Sequence, residues 1–219
     1  MSAPPAFVSS TITSTIISSE AELDALYGEP VAAAVLKELP VVSADYRCFI
    51  EAAPFMLLAT AGPEGLDCSP RGDPAGFVRV ADAHTLLIPD RRGNNRVDSL
   101  RNIVRDPRVA LLFLIPGVGE TLRVNGTAVL STDQELCRSF AAGEQGEKVP
   151  ACVIVVSVQS VYVQCAKALV RSKLWDPATQ IPRSSLPSLG QILQHISEGS
   201  VDGAAYDAAY PERLRQTIY

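Results

Sequence analysis

FMLLATAGPEGLDCSPRGDPAGFVRVADAHTLLI, residues 55–88, decides the fold. Four short apolar runs, Phe55–Ala61, Leu66–Ser69, Phe77–Val80 and His84–Ile88, follow one another with only turn-forming residues between them, the first turn being Gly62-Pro63-Glu64-Gly65. Connections this short join antiparallel strands, because a parallel pair needs a crossover of a dozen or more residues. The same spacing continues downstream, where Val109–Ile115 and Leu122–Leu130 flank Pro116-Gly117-Val118-Gly119 and Ala151–Val163 forms a last long strand. Between them, Asn95–Arg105 places apolar residues at Val97, Leu100, Ile103 and Val104, the spacing of a helix, and stops at Asp106-Pro107. The order predicts an α+β, mostly β protein: an antiparallel barrel with peripheral helices, and not the alternating strand and helix of a dinucleotide-binding fold.

The flanks add helices. Ser19 followed by Glu22 fits a capping box opening a helix that runs to about Leu39 with a break at Gly28-Glu29-Pro30, and Ser43–Ala52 reads as a second helix. Ser131-Thr132-Asp133 starts another that extends to about Ala142. Beyond a proline-punctuated loop, Pro177 to Pro187, the segment Ser188–Ser197 is helix-like, and Pro211 is placed to begin a final short helix. Residues 1–18, rich in Ser, Thr, Pro and Ala and free of charge, suit a flexible N-terminal arm, although Thr11–Ile17 alternates enough to add to a sheet edge. This leaves 19–219 as one domain.

The densest chemistry sits at the end of the fourth strand, in Pro89-Asp90-Arg91-Arg92-Gly93-Asn94-Asn95-Arg96. Arginine presents a planar fork of donors that fits phosphate bidentately, Gly93 allows close backbone approach, and a following helix start adds its own N–H groups. The pattern reads as a phosphate cradle in which Arg91 and Arg96 grip the anion and Asn94 and Asn95 donate amide hydrogens. Upstream, Cys68-Ser69-Pro70-Arg71-Gly72-Asp73 interrupts the strand pattern and contributes Arg71 and Ser69 as further donors. A third cluster, Cys165 to Trp175, sets Lys167 and Arg171 four residues apart, on one face if helical.

Composition narrows the class. With 19 basic and 24 acidic residues the net charge is −5, so the chain carries no global field for nucleic acid or an anionic membrane. The longest apolar run, Val153–Val156, is far too short to span a bilayer, and no Lys or Arg precedes Lys37, unlike a signal or transit peptide. A soluble cytoplasmic protein is expected. Five dispersed cysteines without a CxxC, and only His84 and His195 beside them, do not make a metal site. No residue presents itself as a general base or nucleophile.

Taken together, the strand Phe55–Ala61, the SPRGD segment (69–73), LLIPDRRGNNR (86–96), SLRNIVRDPRVALLFLIPG (99–117), LRVNGTAVLS (122–131) and CAKALVRSKLWDP (165–177) resemble the FMN-binding split-barrel proteins of the pyridoxamine 5′-phosphate oxidase superfamily, above all its poorly characterised FMN-dependent-enzyme branch. The resemblance covers roughly residues 20–180. It implies a split β-barrel that binds FMN at two sites along a homodimer interface, with Ser69, Arg71, Arg91, Asn94, Asn95 and Arg96 at the phosphate and ribityl chain. Lys167, Arg171 and Trp175 would come near the flavin from the partner subunit. Arg92 is not required by the family's pattern and is read as exposed. The resemblance implies an FMN-dependent oxidoreductase of unknown small-molecule substrate. The vitamin B6 oxidases carry Arg-Leu-x-Pro in their last stretch where this chain reads Arg213-Leu214-Arg215-Gln216, so pyridoxine phosphate oxidation does not carry over. Two other readings stay open: a flavin-binding or redox-sensing protein without turnover, and a split barrel that uses a deazaflavin or haem.

Overall fold

Seven strands bond in the order β2-β1-β5-β6-β7-β4-β3, every neighbouring pair antiparallel. They are β1 (Phe55–Gly62), β2 (Gly65–Gly72), β3 (Arg79–Asp82), β4 (Thr85–Pro89), β5 (Arg108–Leu114), β6 (Thr121–Ser131) and β7 (Val153–Gln164). The computed structural model describes residues 16–143 and 145–219, and most of the expected arm at 1–18 lies outside them. The chain forms two compact units, Met1–Lys37 and Glu38–Tyr219, the second of which holds the sheet. The α+β, antiparallel barrel class read from strand spacing, and the split barrel that the resemblance implies, are the class observed.

Alternation along each strand places one row of side chains in the core. Met56 and Leu58 of β1, Leu111 and Phe113 of β5, Leu122 and Val124 of β6, Ile154 and Val156 of β7, and Leu86 and Ile88 of β4 are all buried in one cluster. Two helices cover it, α3 (Ala44–Ala52) through Tyr46 and Ile50 and α4 (Asp98–Arg105) through Ile103. Numbering follows the chain, with α1 (Glu20–Tyr27) and α2 (Ala32–Leu36) in the first unit. The expected break separates those two. Ser19 caps α1 by accepting the Glu22 backbone N–H, and the Glu22 carboxylate reaches back to accept the backbone N–H of Ser18 at 2.7 Å.

Two details shape the barrel wall. The β6–β7 register shifts at Gly126, where a β-bulge adds curvature, and a Cβ on Gly126 would lie 2.1 Å from the carbonyl oxygen of Ser157. On the other side, Asn102 of α4 donates Nδ2–H to the buried Thr60 Oγ1 at 3.1 Å, which satisfies a polar side chain in the core face of β1.

Several boundaries differ from the sequence reading. The segment expected to interrupt the strands is the second half of β2. Proline is tolerated there because β2 is an edge strand with one unpaired side, so Pro70 removes no ladder bond the sheet requires. The helix expected from Asn95 starts at Asp98, because Asn95 (φ 61°) and Val97 (φ 50°) are left-handed and end any helical run before it. Helix α5 (Gln134–Ser139) and α6 (Lys167–Ser172) are short, and α7 (Leu189–Ile196) opens with a full capping box at Ser188 and Gln191. The last helix, α8 (Gly203–Thr217), begins eight residues before the expected Pro211, which lies inside it. Asp202 caps it through Ala205 N–H and the alanine-rich run after it propagates the helix, so proline's preference for a first turn does not set the start. Among the described residues no helix is long and apolar enough to cross a membrane.

Candidate functional site

The split in the barrel is where the arginines meet. Arg71 leaves the end of β2, and Asp90 and Arg91 follow β4, two strands at opposite sides of the sheet order. Two ion pairs cross between them in reciprocal sense. Arg71 Nη1 meets Asp90 Oδ1 at 2.6 Å and Arg91 Nε meets Asp73 Oδ2 at 2.6 Å. All four side chains are largely shielded, from 5% exposed at Asp73 to 22% at Arg91, so solvent screens these pairs less than a surface bridge.

Beside them opens a cleft of about 770 Å³. Its walls carry Ser69 and Arg71 from β2, residues 90–100 from the loop and start of α4, residues 147–152 ahead of β7, and Tyr219. Five cationic side chains line it, Arg71, Arg91, Arg92, Arg96 and Lys148, against the three carboxylates Asp90, Asp98 and Glu147. In a protein with a net charge of −5 this is a local reversal of sign. The cleft therefore favours an anion.

Among the expected binding residues, Ser69, Arg71, Arg91, Asn94, Asn95 and Arg96 all line this one cleft. Their states differ. Arg71 uses only Nη1, and its Nε–H is buried without any hydrogen-bond partner. A buried, unpaired N–H on a guanidinium costs free energy until an acceptor arrives, and the Nε edge is one that carboxylates and phosphates take side-on. Arg91 is held from several directions: Nε by Asp73, Nη1 by the Phe140 carbonyl oxygen at 2.7 Å, and its face by the Tyr219 ring at 5.6 Å. Arg96 is 78% exposed and paired with Asp98. Asn94 Oδ1 accepts the backbone N–H of Arg96 at 3.0 Å, so that amide builds the loop, and the Asn95 side chain makes no hydrogen bond among the described residues. Ser69 donates to Asp67 Oδ2 at 2.9 Å, an oxygen that also accepts from the buried Ser99 at 2.6 Å. The Ser69 proton is thus committed within the chain. Arg92, read from the sequence as exposed, is exposed and makes no hydrogen bond or ion pair among the described residues.

The third cluster lies elsewhere. Lys167, Arg171 and Trp175 do not line the cleft of their own chain. Trp175 donates Nε1–H to the carbonyl of Val118 at 2.8 Å, and a Cβ on Gly119 would touch Ala166 at 2.8 Å, so α6 and its flanks seat against the β5–β6 turn. Cys165, between β7 and α6, is exposed.

Tyr219 and Cys152 are among the cleft residues that were not read as site residues from the sequence. Tyr219 donates its hydroxyl to Asp73 Oδ1 at 2.8 Å, a contact between positions 146 residues apart. That hydrogen bond, first, and then burial hold the phenol above its ordinary pKa, with Arg91 opposing. Cys152 also faces the cleft. Burial first, then the Asp90 carboxylate and Cys137, push its thiol up to about 11 against the pull of Arg71. It is protonated at neutral pH, and a thiol is a weak nucleophile in that form. Brief iodoacetamide treatment of the folded protein at pH 7.5, read by peptide mass spectrometry, is expected to label the exposed Cys48, Cys68 and Cys165 well ahead of Cys137 and Cys152. Early modification of Cys152 would contradict this. Among the described residues no three of His, Cys, Asp and Glu gather as metal ligands.

Comparison with known proteins follows the same elements. No curated protein matches the chain. Solved structures align over about half of it: HupZ from Group A Streptococcus (19% identity, 57% of this chain and 94% of that one, TM-score 0.46), a protein named for pyridoxamine 5′-phosphate oxidase from Lactobacillus delbrueckii (21%, 57% and 98%, 0.45), and an FMN-binding protein from Syntrophomonas wolfei (10%, 53% and 82%, 0.42). The sequence model for pyridoxamine 5′-phosphate oxidase matches residues 42–165, a span that runs from the lead into α3 to the end of β7 and takes in most of the cleft. The chain belongs to the pyridoxamine 5′-phosphate oxidase family.

Proposed function

We propose that the cleft binds FMN by its phosphate and that the protein is an FMN-dependent oxidoreductase acting on a small molecule. The observation that carries this reading is the buried, unpartnered Nε–H of Arg71, aligned with an excess of cationic side chains in a cleft of about 770 Å³. Pockets of roughly 300–1,000 Å³ suit ligands of this size. Family membership supports the same choice of ligand.

FMN, when bound, supplies two-electron redox chemistry of its own. The chain's part is to hold and orient. Arg71 offers its side-on edge to the phosphate while Asp90 fixes the guanidinium plane from the other end. Arg92 and the Asn95 amide, both uncommitted, are in reach of the same cleft. The left-handed residues Asn95 and Val97 on either side of Arg96, with the Arg96 backbone N–H held by Asn94 Oδ1, fix the course of this loop along the cleft. A β-branched residue such as Val97 pays a steric cost in that conformation, which is consistent with strain held at a binding loop. Ser69 and Ser99, bonded to Asp67, keep the β2 wall of the cleft in place.

The outward faces of β1 and β5 pair Phe55 with Leu114, Leu57 with Leu112 and Ala59 with Ala110, an apolar strip left partly exposed in one chain. We propose that a second copy of the chain covers it. Lys167, Arg171 and Trp175, away from their own cleft, would then be free to complete the partner's. Size-exclusion chromatography with light scattering is expected to give a dimer, and a monomer that holds FMN would remove the shared site.

The test of the cofactor is the absorption spectrum of the purified protein, followed by anaerobic addition of NADH and NADPH. Flavin bands that bleach on mixing support a reductase. Flavin bands that only dithionite bleaches favour the flavin-binding or sensing alternative, and a spectrum without flavin after incubation with FMN overturns the proposal.

A further inference from the structure

Arg91 is framed by three groups before any ligand arrives. Asp73, only 5% exposed, takes Nε with one carboxylate oxygen and the Tyr219 hydroxyl with the other. The Phe140 carbonyl takes Nη1, and the Tyr219 ring lies under the guanidinium. Phe140 is itself fixed, because it is buried, carries the Arg79 guanidinium 3.8 Å above its ring, and follows Ser139, whose hydroxyl and carbonyl both accept from Arg79. Of the donors Arg91 owns, those on Nη2 make no hydrogen bond among the described residues, while the rest of the group cannot turn without breaking the frame.

Tyr219 is the member of this frame that comes from farthest away. It stands two residues beyond α8 and lines the cleft. Its single hydroxyl proton is committed to Asp73, so it has none to give to a ligand. Its effect must pass through the groups it holds. An arginine loses much rotamer freedom when an anion immobilises it, and a frame that has already removed that freedom leaves less to lose at binding. We propose that Tyr219 is a positioning residue that presets Arg91 toward a bound phosphate monoester, which makes α8 part of the anion site. The inference rests on the reading that the cleft holds such a ligand.

Flavin fluorescence titrations with FMN and with riboflavin test it, on wild type, Tyr219→Phe, Tyr219→Ala, Arg91→Ala and the Arg91→Ala/Tyr219→Ala double variant. Tyr219→Phe keeps the ring and loses the hydrogen bond to Asp73. It is expected to weaken FMN about three- to tenfold and leave riboflavin unchanged, with Tyr219→Ala larger. In the Arg91→Ala background, Tyr219→Ala is expected to add nothing, since its action runs through that guanidinium. Wild-type FMN affinity in Tyr219→Phe overturns the inference. So does an equal loss for both flavins, or an effect of Tyr219→Ala that is the same in both backgrounds. Wild-type protein that binds neither FMN nor, by calorimetry, inorganic phosphate overturns the reading of the cleft and this inference together, whereas FMN binding that ignores Tyr219 overturns this inference alone.

Discussion

Replacing Arg71 by alanine is expected to weaken FMN by about ten- to a hundredfold while riboflavin binding changes little. A charge-assisted hydrogen bond contributes about 1.5–3 kcal/mol, and about 1.4 kcal/mol is a factor of ten in affinity. Arg71 stands apart from the other arginines because its Nε–H is already desolvated and unpaired, so the ligand satisfies a donor that otherwise stays unmet. Removing the side chain also leaves Asp90, 16% exposed, without its cation and facing an incoming anion, which adds to the loss. Arg71→Lys keeps the charge but not the side-on fork and is expected to recover only part of it. Arg96→Ala should matter least, since that side chain is 78% exposed and screened. Fluorescence titration of each variant with both flavins is the measurement. Equal losses for FMN and riboflavin would mean that Arg71 holds the barrel and not the phosphate.

Gly126→Val is expected to destabilise the protein by about 3 kcal/mol or more, the upper range for forcing atoms into a packed site. The added carbon would stand 2.1 Å from the Ser157 carbonyl oxygen, and that oxygen is backbone in the central β6–β7 pair, so no rotamer change relieves the clash. The neighbouring Asn125, bonded through its side chain to Ser160 Oγ at 3.2 Å, tolerates truncation better because only one hydrogen bond is lost. Urea denaturation of Gly126→Val and Asn125→Ala would check both, and a Gly126→Val midpoint equal to wild type would show that the bulge relaxes freely.

The strands were legible because their code is local. Alternating apolar residues and short turns leave antiparallel pairing as the economical connection for β1 with β2 and β3 with β4, whereas the β1–β5 and β4–β7 pairs join strands far apart in sequence and carry no local signal. The loop at 90–97 was legible for the same reason, as a crowd of donors at one strand end. What the arginines do inside it was not. Asp90 is adjacent to Arg91 and Asp73 lies two residues after Arg71, yet each carboxylate pairs with the arginine of the other segment, a choice made only when the barrel curls and brings β2 to β4. Tyr219 carries no local signal at all, because its partner is 146 residues away. Pro211 misled by a true local rule, since proline favours a first turn but does not forbid a helix already nucleated at Asp202. Trp175 was placed near a flavin by resemblance, and its bond to Val118 shows the work it does within its own chain.

The two crossed ion pairs also bear on how the barrel breathes. They span the seam where the hydrogen-bonded ladder is interrupted, so no backbone bonds between β2 and β4 protect that line, and it is the natural place for a sub-global opening. A bound anion that engages Arg71 adds a bridge across the seam and draws the equilibrium toward the closed form by mass action. Amide protons near residues 71–73 and 90–91 should then exchange with deuterium more slowly in the presence of ligand, while those in the middle of β6, already locked between two neighbours, keep their pace. In such a molecule, occupancy would be written into the lifetime of one edge of the sheet.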